Sequence, residues 1–194
     1  KAKELARRLS DENTKRQEQE ATILAEARRS VDKDPQVGAQ NILIVAGDGW
    51  HRGVIGIVAS KLVDAYHKPA LVLSIEDGVA RGSGRSIPAF DLLAGLESCA
   101  DVFLQFGGHK QAAGVTLDVN RLGELRDRLC RFANDGLTPQ DLIPRLRIDA
   151  ELGLREISTD VMRALTRLGP FGSANPKPVF RASPVDLIAP PKKL

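Results

Sequence analysis

Two short apolar runs, Ile42-Leu43-Ile44-Val45-Ala46 and Ala70-Leu71-Val72-Leu73-Ser74-Ile75, constrain this chain more than any other feature. Both are aliphatic, rich in β-branched residues and almost without polar alternation, which is the pattern of strands buried on both faces. Between them Val54, Ile57, Val58 and Leu62 recur at helical spacing up to about Tyr66, and Pro69 closes that helix before the second run. Strand, helix and strand in this order predict an α/β fold. Asp77-Gly78 then signals a hairpin into a third strand over 79–87. A helix over 89–98, a glycine-rich stretch at 107–114 and a strand near Val115-Thr116-Leu117 come next, and a helix striped by Leu122, Leu125, Leu129 and Phe132 completes the unit near Asp135. The fold class is therefore α/β, a mixed sheet flanked by helices over residues 39–135.

The flanks differ from this unit. The first 30 residues hold neither Pro nor Gly, and Glu4/Arg8, Asp11/Lys15 and Glu12/Arg16 pair acid with base one turn apart, so residues 1–34 read as one long helix. From Ser10 to Glu20 no residue is apolar, as in helices that bridge domains. Apolar residues return only at Ile23, Leu24 and Ala27, so the far end is expected to dock on the α/β unit. A chain starting at Lys1 without a methionine is read as a fragment with a domain upstream. Beyond Asp135, residues 146–149 read as a strand, 159–168 as a short helix and 185–188 as a further strand, with prolines marking an irregular passage between.

The 194 residues carry 28 Lys+Arg against 25 Asp+Glu, a net charge of +3, so any polyanion site must be local. No apolar run approaches the roughly 18 residues that span a bilayer. Cys99 and Cys130 are too few for a disulfide scaffold and lack a CxxC spacing, which predicts reduced thiols in a cytoplasmic protein.

Three segments could carry chemistry. On a strand, Arg81, Ser83 and Arg85 project from one face while Gly82 and Gly84 leave the other bare, with Ser86 following. Two guanidinium forks around a hydroxyl suit a phosphate, and a solvated edge strand carrying Arg explains the same pattern. In Gly107-Gly108-His109-Lys110-Gln111-Ala112-Ala113-Gly114 the paired glycines can turn backbone amides toward an anion, with His109 and Lys110 as further donors. A plain turn in which His109 caps an exposed backbone group is the alternative. Gly47-Asp48-Gly49-Trp50-His51-Arg52-Gly53 lies between strand and helix, where a phosphate can meet helix amides. It departs from the dinucleotide fingerprint, because its third glycine falls one residue late and no acidic residue is seen ending the second strand at the usual distance. Its better reading is structural: Trp50 covers the sheet end, and Gly53 and Gly56 let helix pack on strand. The three histidines, His51, His67 and His109, are too scattered to be metal ligands, and no nucleophile elbow occurs.

Taken together, Gly107-Gly108-His109 with Ala112-Ala113-Gly114 resembles the accessory-domain signature of DHH-type phosphoesterases. The run from Gly49 to Ala59, the Gly82-Ser83-Gly84-Arg85-Ser86 strand, and Gly169-Pro170-Phe171-Gly172 with Asn175-Pro176 and Pro178-Val179-Phe180 narrow this resemblance to the RecJ family of single-strand-specific 5′→3′ DNA exonucleases. Asn13, Arg16, Ile23, Glu26 and Ala27 match the helix that ties two domains in that family. The resemblance implies that Ser83 and Arg85 hold the 5′-terminal phosphate and that His109 faces the scissile phosphate, and Gly107 and Gly108 are counted with the residues that bind phosphate or DNA. Arg81 and Ser86 join them from the strand alone. It further implies Mn²⁺ or Mg²⁺ held by an upstream DHH domain of the same chain, with no metal on these residues, which are expected to be inactive alone. Single-stranded DNA is the implied partner, in DNA repair and recombination, for a monomer without membrane contact. After Pro178 the chain should enter an oligonucleotide-binding barrel, so 136–194 is connector and barrel start. A DHH-type phosphodiesterase of small nucleotides and a non-catalytic nucleic-acid-binding module remain the alternatives.

Overall fold

A computed structural model describes residues 2–186 and 189, which fall into two compact units, Lys1–Pro144 and Arg145–Leu194. The first unit opens with helix α1 (Ala2–Lys33) and a short α2 (Pro35–Ala39). Strand β1 (Leu43–Asp48), helix α3 (Arg52–Tyr66) and strand β2 (Ala70–Glu76) come next, then β3 (Val79–Arg85), α4 (Leu92–Glu97), β4 (Gln105–His109), β5 (Ala112–Asp118) and α5 (Leu122–Gly136). The five strands form one sheet in the order β1-β2-β3-β5-β4. β1 and β2 are parallel and every other pairing is antiparallel, so the sheet is mixed, as the sequence predicts.

Alternation along the strands sorts the core into two layers. Ile42, Ile44, Leu71, Leu73, Val115 and Leu117 face a cluster with Leu92, Leu96, Leu125 and Leu129 of α4 and α5. Leu43, Val45, Ala70 and Val72 face Val54, Val58 and Leu62 of α3 and, beyond them, Ile23, Ala27 and Val31 of α1. The polar run of α1 takes part earlier than its composition suggests: Glu20 is buried, its carboxylate accepting from Arg16 at 2.8 Å and meeting Lys61 of α3. The Lys61 ammonium, with Arg16 beside it, holds that carboxyl below its ordinary value against the opposing effect of burial.

Several boundaries differ from the sequence expectation. The glycine-rich stretch at 107–114 is the facing halves of a hairpin, β4 and β5, because antiparallel pairing to β3 outweighs the poor strand propensity of glycine. β3 stops at Arg85, and the next helix starts only at Leu92, where Asp91 caps the Ala94 amide. β2 runs one residue further than expected, to Glu76. Cys99 and Cys130 are both free, and burial pushes both thiols up.

In the second unit the strand expected at 146–149 forms later, as β6 (Ala150–Glu151), paired in parallel with β7 (Phe180–Arg181). Helix α6 (Thr159–Thr166) precedes a turn that Asn175 fixes by donating to Leu168 O and Pro170 O. Of the strand expected at 185–188, Leu187 and Ile188 lie outside the described residues, and Val185 and Asp186 are not in a strand.

Candidate functional site

β3 presents two different faces for a packing reason. A Cβ on Gly82 would come within 2.9 Å of Val115 Cγ2, and one on Gly84 within 2.7 Å of Leu92 Cδ2. These glycines therefore make room for the core and leave no face bare. Arg81, Ser83 and Arg85 point the other way, onto the α3 side.

Ser83 and Arg85 form a built pair. Arg85 Nη1 donates to Ser83 Oγ at 3.0 Å and to Gly84 O at 2.8 Å, which leaves the rest of the fork and the Ser83 hydroxyl proton to serve a ligand. The pair lies against Gly56 of α3, whose missing Cβ would stand 3.0 Å from Ser83 Oγ and 3.1 Å from Arg85 Nη2. Gly56 thus does more than admit a strand; it is the seat of the guanidinium. Sequence reasoning missed that, although a glycine inside a helix that faces an Arg-bearing strand is its signal. Gly53, read together with Gly56 as a packing glycine, instead lies under the His51 ring.

Register carries the site across the sheet. Arg85 stands opposite Ala112, which stands opposite His109; Ser83 is likewise aligned with Gly114 and Gly107, and Arg81 with Thr116 and Gln105. Directly opposed residues share a face, so Arg85 and His109 rise from the same side with one alanine between them, their Cα atoms about 10 Å apart. Gly107 has open space where a Cβ would go, one on Gly114 would meet only Gly82 O at an ordinary 3.9 Å, and neither has a positive φ. Neither packing nor backbone conformation requires glycine there, and bare strand positions of that kind mark close approach from outside. Gly108 is different: its φ is +152°, and a Cβ would run into the Ala112 carbonyl and stand 2.8 Å from Ala113 Cβ. It shapes the hairpin itself, in the ladder, without making an anion nest.

His109 is exposed at the end of β4, and its Nδ1 accepts from the Gln111 amide at 3.2 Å. A neutral imidazole accepting at Nδ1 carries its proton on Nε2, so the ring offers an outward donor. The turn is moored beside Arg85: Ser86 N donates to Gln111 O at 3.0 Å, Gln111 Nε2 to Ile87 O at 3.3 Å, and Leu92 N to Lys110 O at 3.1 Å. Ser86 stands apart from the face, because its hydroxyl donates to Phe90 O at 2.8 Å and holds this turn.

The remaining histidines have local duties. His51 caps α3 by accepting the Gly53 amide, and His67 closes the same helix in a left-handed conformation. Trp50 is buried over Gly47, where even a methyl group would collide with its ring, and its Nε1 donates to Glu26 of α1 at 2.7 Å. Among the described residues no group of three or more His, Cys, Asp or Glu side chains could hold a metal ion, so these residues do not fit a divalent-metal centre. No helix among them is long and apolar enough to cross a membrane.

Comparison with known proteins agrees with this architecture. The DHHA1 domain family matches residues 39–135, and the RecJ OB domain family matches residues 148–192, beginning earlier than the point after Pro178 expected from sequence. The chain is 41% identical over 179 residues to the single-stranded-DNA-specific exonuclease RecJ of Bacillus subtilis, covering 91% of this chain and 22% of that protein. It is 36% identical over 136 residues to the RecJ of Dickeya dadantii, covering 68% of this chain and 24% of that protein. The chain therefore spans about a quarter of the length of the curated relatives it matches. The crystal structure of RecJ in complex with Mg²⁺ from Thermus thermophilus superposes with a TM-score of 0.78 at 29% identity, covering 92% of this chain and 27% of that one. The same protein in complex with Mn²⁺ gives a TM-score of 0.78. With a DHHA1 domain over 39–135 and a RecJ OB domain over 148–192, the chain belongs to the RecJ family.

Proposed function

We propose that the β3–β5–β4 face holds the 5′ end of single-stranded DNA, and that the chain serves a single-strand-specific 5′→3′ exonuclease of DNA repair and recombination. One observation carries this: Ser83–Arg85, seated beside α3, and His109 share one face of the sheet, and between them stand only Ala112, Gly107 and Gly114. A terminal phosphate takes charge-assisted hydrogen bonds from the free arm of the Arg85 fork and from the Ser83 hydroxyl. The fork is oriented beforehand by its bonds to Ser83 and Gly84, so little rotamer freedom is lost on binding. The bare floor lets the sugar-phosphate chain lie directly on the strands. His109 Nε2–H then donates to charge developing on the next phosphodiester. Arg81, further along the same face, adds positive charge.

The Mg²⁺ and Mn²⁺ of the solved relatives support a divalent-ion reaction in the complete protein, and among the described residues of this chain no group of three or more His, Cys, Asp or Glu could hold such an ion. On this reading a DHH domain of the same protein supplies the ligands, the 194 residues alone leave DNA intact, and the working protein is a cytoplasmic monomer. The matched OB family supports an extended strand, as opposed to a small nucleotide, as the substrate.

The test is Arg85→Ala in the complete protein, comparing 5′-phosphorylated with 5′-hydroxyl oligonucleotides at matched ionic strength. Loss of charge-assisted bonds worth about 1.5–3 kcal/mol should erase the preference for the phosphorylated end, with lysine restoring only part. An unchanged ratio between the two ends refutes the phosphate site.

A further inference from the structure

β1, α3 and β2 make a parallel strand–helix–strand unit, and units of this kind gather ligands outside the carboxyl ends of their strands. A cavity of about 430 Å³ lies there, within the size range of small-molecule pockets. Its lining contains a nearly buried serine. Ser74 is only 3% exposed, faces this cavity, and has no hydrogen-bond partner for its hydroxyl among the described residues. Among the described residues no buried side-chain polar atom lacks a partner, so the unpaired Ser74 hydroxyl is open to the cavity and free to serve what enters it.

The groups around Ser74 divide by chemistry. On one side stand the positive end of α3, a helix of 15 residues, and in its first turn the guanidinium of Arg52, which has no partner among the described residues. His51 adds a donor at Nε2, because its Nδ1 accepts the Gly53 amide at 3.1 Å. On the other side stands Glu76, the last residue of β2, an acceptor without an ion-pair partner among the described residues. Donors at the glycine turn and an acid at the end of the second strand, about 20 residues on, are the division of labour by which such units hold phosphate and ribose. The extra residue that spoils the glycine spacing is accommodated by His51, which caps the helix.

We propose that this cavity binds a nucleoside 5′-phosphate, with the phosphate on Ser74, Arg52 and the start of α3 and the ribose hydroxyls on Glu76. The cavity adjoins the β3–β5–β4 face, since Ser74 is the cross-strand partner of Arg81, but its lining includes none of Ser83, Arg85 and His109, and it does not depend on the DNA reading. Trp50 is the only tryptophan of the chain and lines the cavity, so its emission reports occupancy.

The experiment titrates the Arg85→Ala chain, in which the sheet-face phosphate site has lost its guanidinium fork, with adenosine 5′-monophosphate, its 2′-deoxy analogue, adenosine and inorganic phosphate. Trp50 emission is followed, with calorimetry as a check. The monophosphate should bind saturably with Kd below about 1 mM, ahead of adenosine and of phosphate alone. Ser74→Ala and Arg52→Ala should each weaken it about tenfold, and neither breaks a bond in the fold, so both variants remain folded. Glu76→Gln should abolish the advantage of ribose over deoxyribose. The proposal is overturned by a flat titration, by phosphate alone binding as tightly as the nucleotide, or by a 5′-hydroxyl oligonucleotide displacing the nucleotide at equal concentration. The last result would make the cavity a seat for backbone phosphate.

Discussion

Replacing Gly56 by alanine separates folding from ligand grip. The position lies within α3, where alanine in place of glycine stabilises a helix by about 0.5–1 kcal/mol. The new Cβ would stand 3.0 Å from Ser83 Oγ and 3.1 Å from Arg85 Nη2, a few tenths of an ångström inside ordinary contact. The relief that costs least is rotation of the guanidinium, the far end of a flexible side chain, so the fold gives up little of the helical gain. The melting temperature should stay level or rise by about 2–4 °C, the shift that 1 kcal/mol produces in a chain of this size. The ligand fares differently. Once displaced, Arg85 loses its bonds to Ser83 Oγ and Gly84 O, and with them the preset fork. Forfeiting charge-assisted bonds worth about 1.5–3 kcal/mol weakens 5′-phosphorylated single strands roughly 10- to 100-fold. Thermal unfolding by circular dichroism and oligonucleotide anisotropy at fixed ionic strength measure the two effects on one preparation. Wild-type affinity in the variant would refute the role of Gly56 as the seat of Arg85, and a fall of many degrees in melting temperature would refute the packing argument.

Three further outcomes are expected. His109→Ala in the complete protein should lower single-turnover cleavage about 10²–10³-fold with little change in DNA affinity, as removal of a donor aimed at transition-state charge does; an unchanged rate would leave His109 as a turn residue. Gly107→Ala should fold with nearly wild-type stability yet weaken DNA binding, whereas Gly108→Ala should lose stability outright because its φ and its neighbours both exclude a Cβ; chemical denaturation of the two variants separates them. Glu20 has its folded-state pKa below the ordinary value of 4.5, so its contribution to stability is complete above about pH 4.5 and is lost as pH falls through the folded value. An acid titration of Glu20→Gln should lack that part of the decline, and an identical acid limb would dissociate the ion pair from stability.

Legibility followed the range of the interactions. The β1–α3–β2 unit can be read from apolar period alone, because strands buried on both faces and a striped helix leave local marks. That Arg81, Ser83 and Arg85 share a face comes from strand alternation, which is also local. What alternation cannot supply is the neighbour of β3. Pairing with β5, and of β5 with β4, is decided by contacts between residues far apart in sequence, and only that register sets His109 in line with Arg85. The 107–114 stretch reads as a loop because its glycines lack strand propensity, and two of them are bare for reasons outside the sheet. β2 extends one residue past its apolar run, and that residue, Glu76, is the acid whose apparent lack argues against a nucleotide turn.

The two-sided character of β5 has a consequence for how the chain tolerates change. Ala113, Val115 and Leu117 are buried in the α4–α5 core, whereas the alternate positions Ala112, Gly114 and Thr116 meet no helix of that layer. In a saturation library scored by cellular abundance, the first set should be depleted and the second nearly neutral, a sawtooth of period two along a single strand. Scored by DNA processing, the teeth of the second set should deepen too. Variation at Ala112 and Gly114 that leaves protein levels untouched is therefore the class most easily mistaken for harmless, and the difference between the two profiles would draw the ligand's footprint one residue at a time.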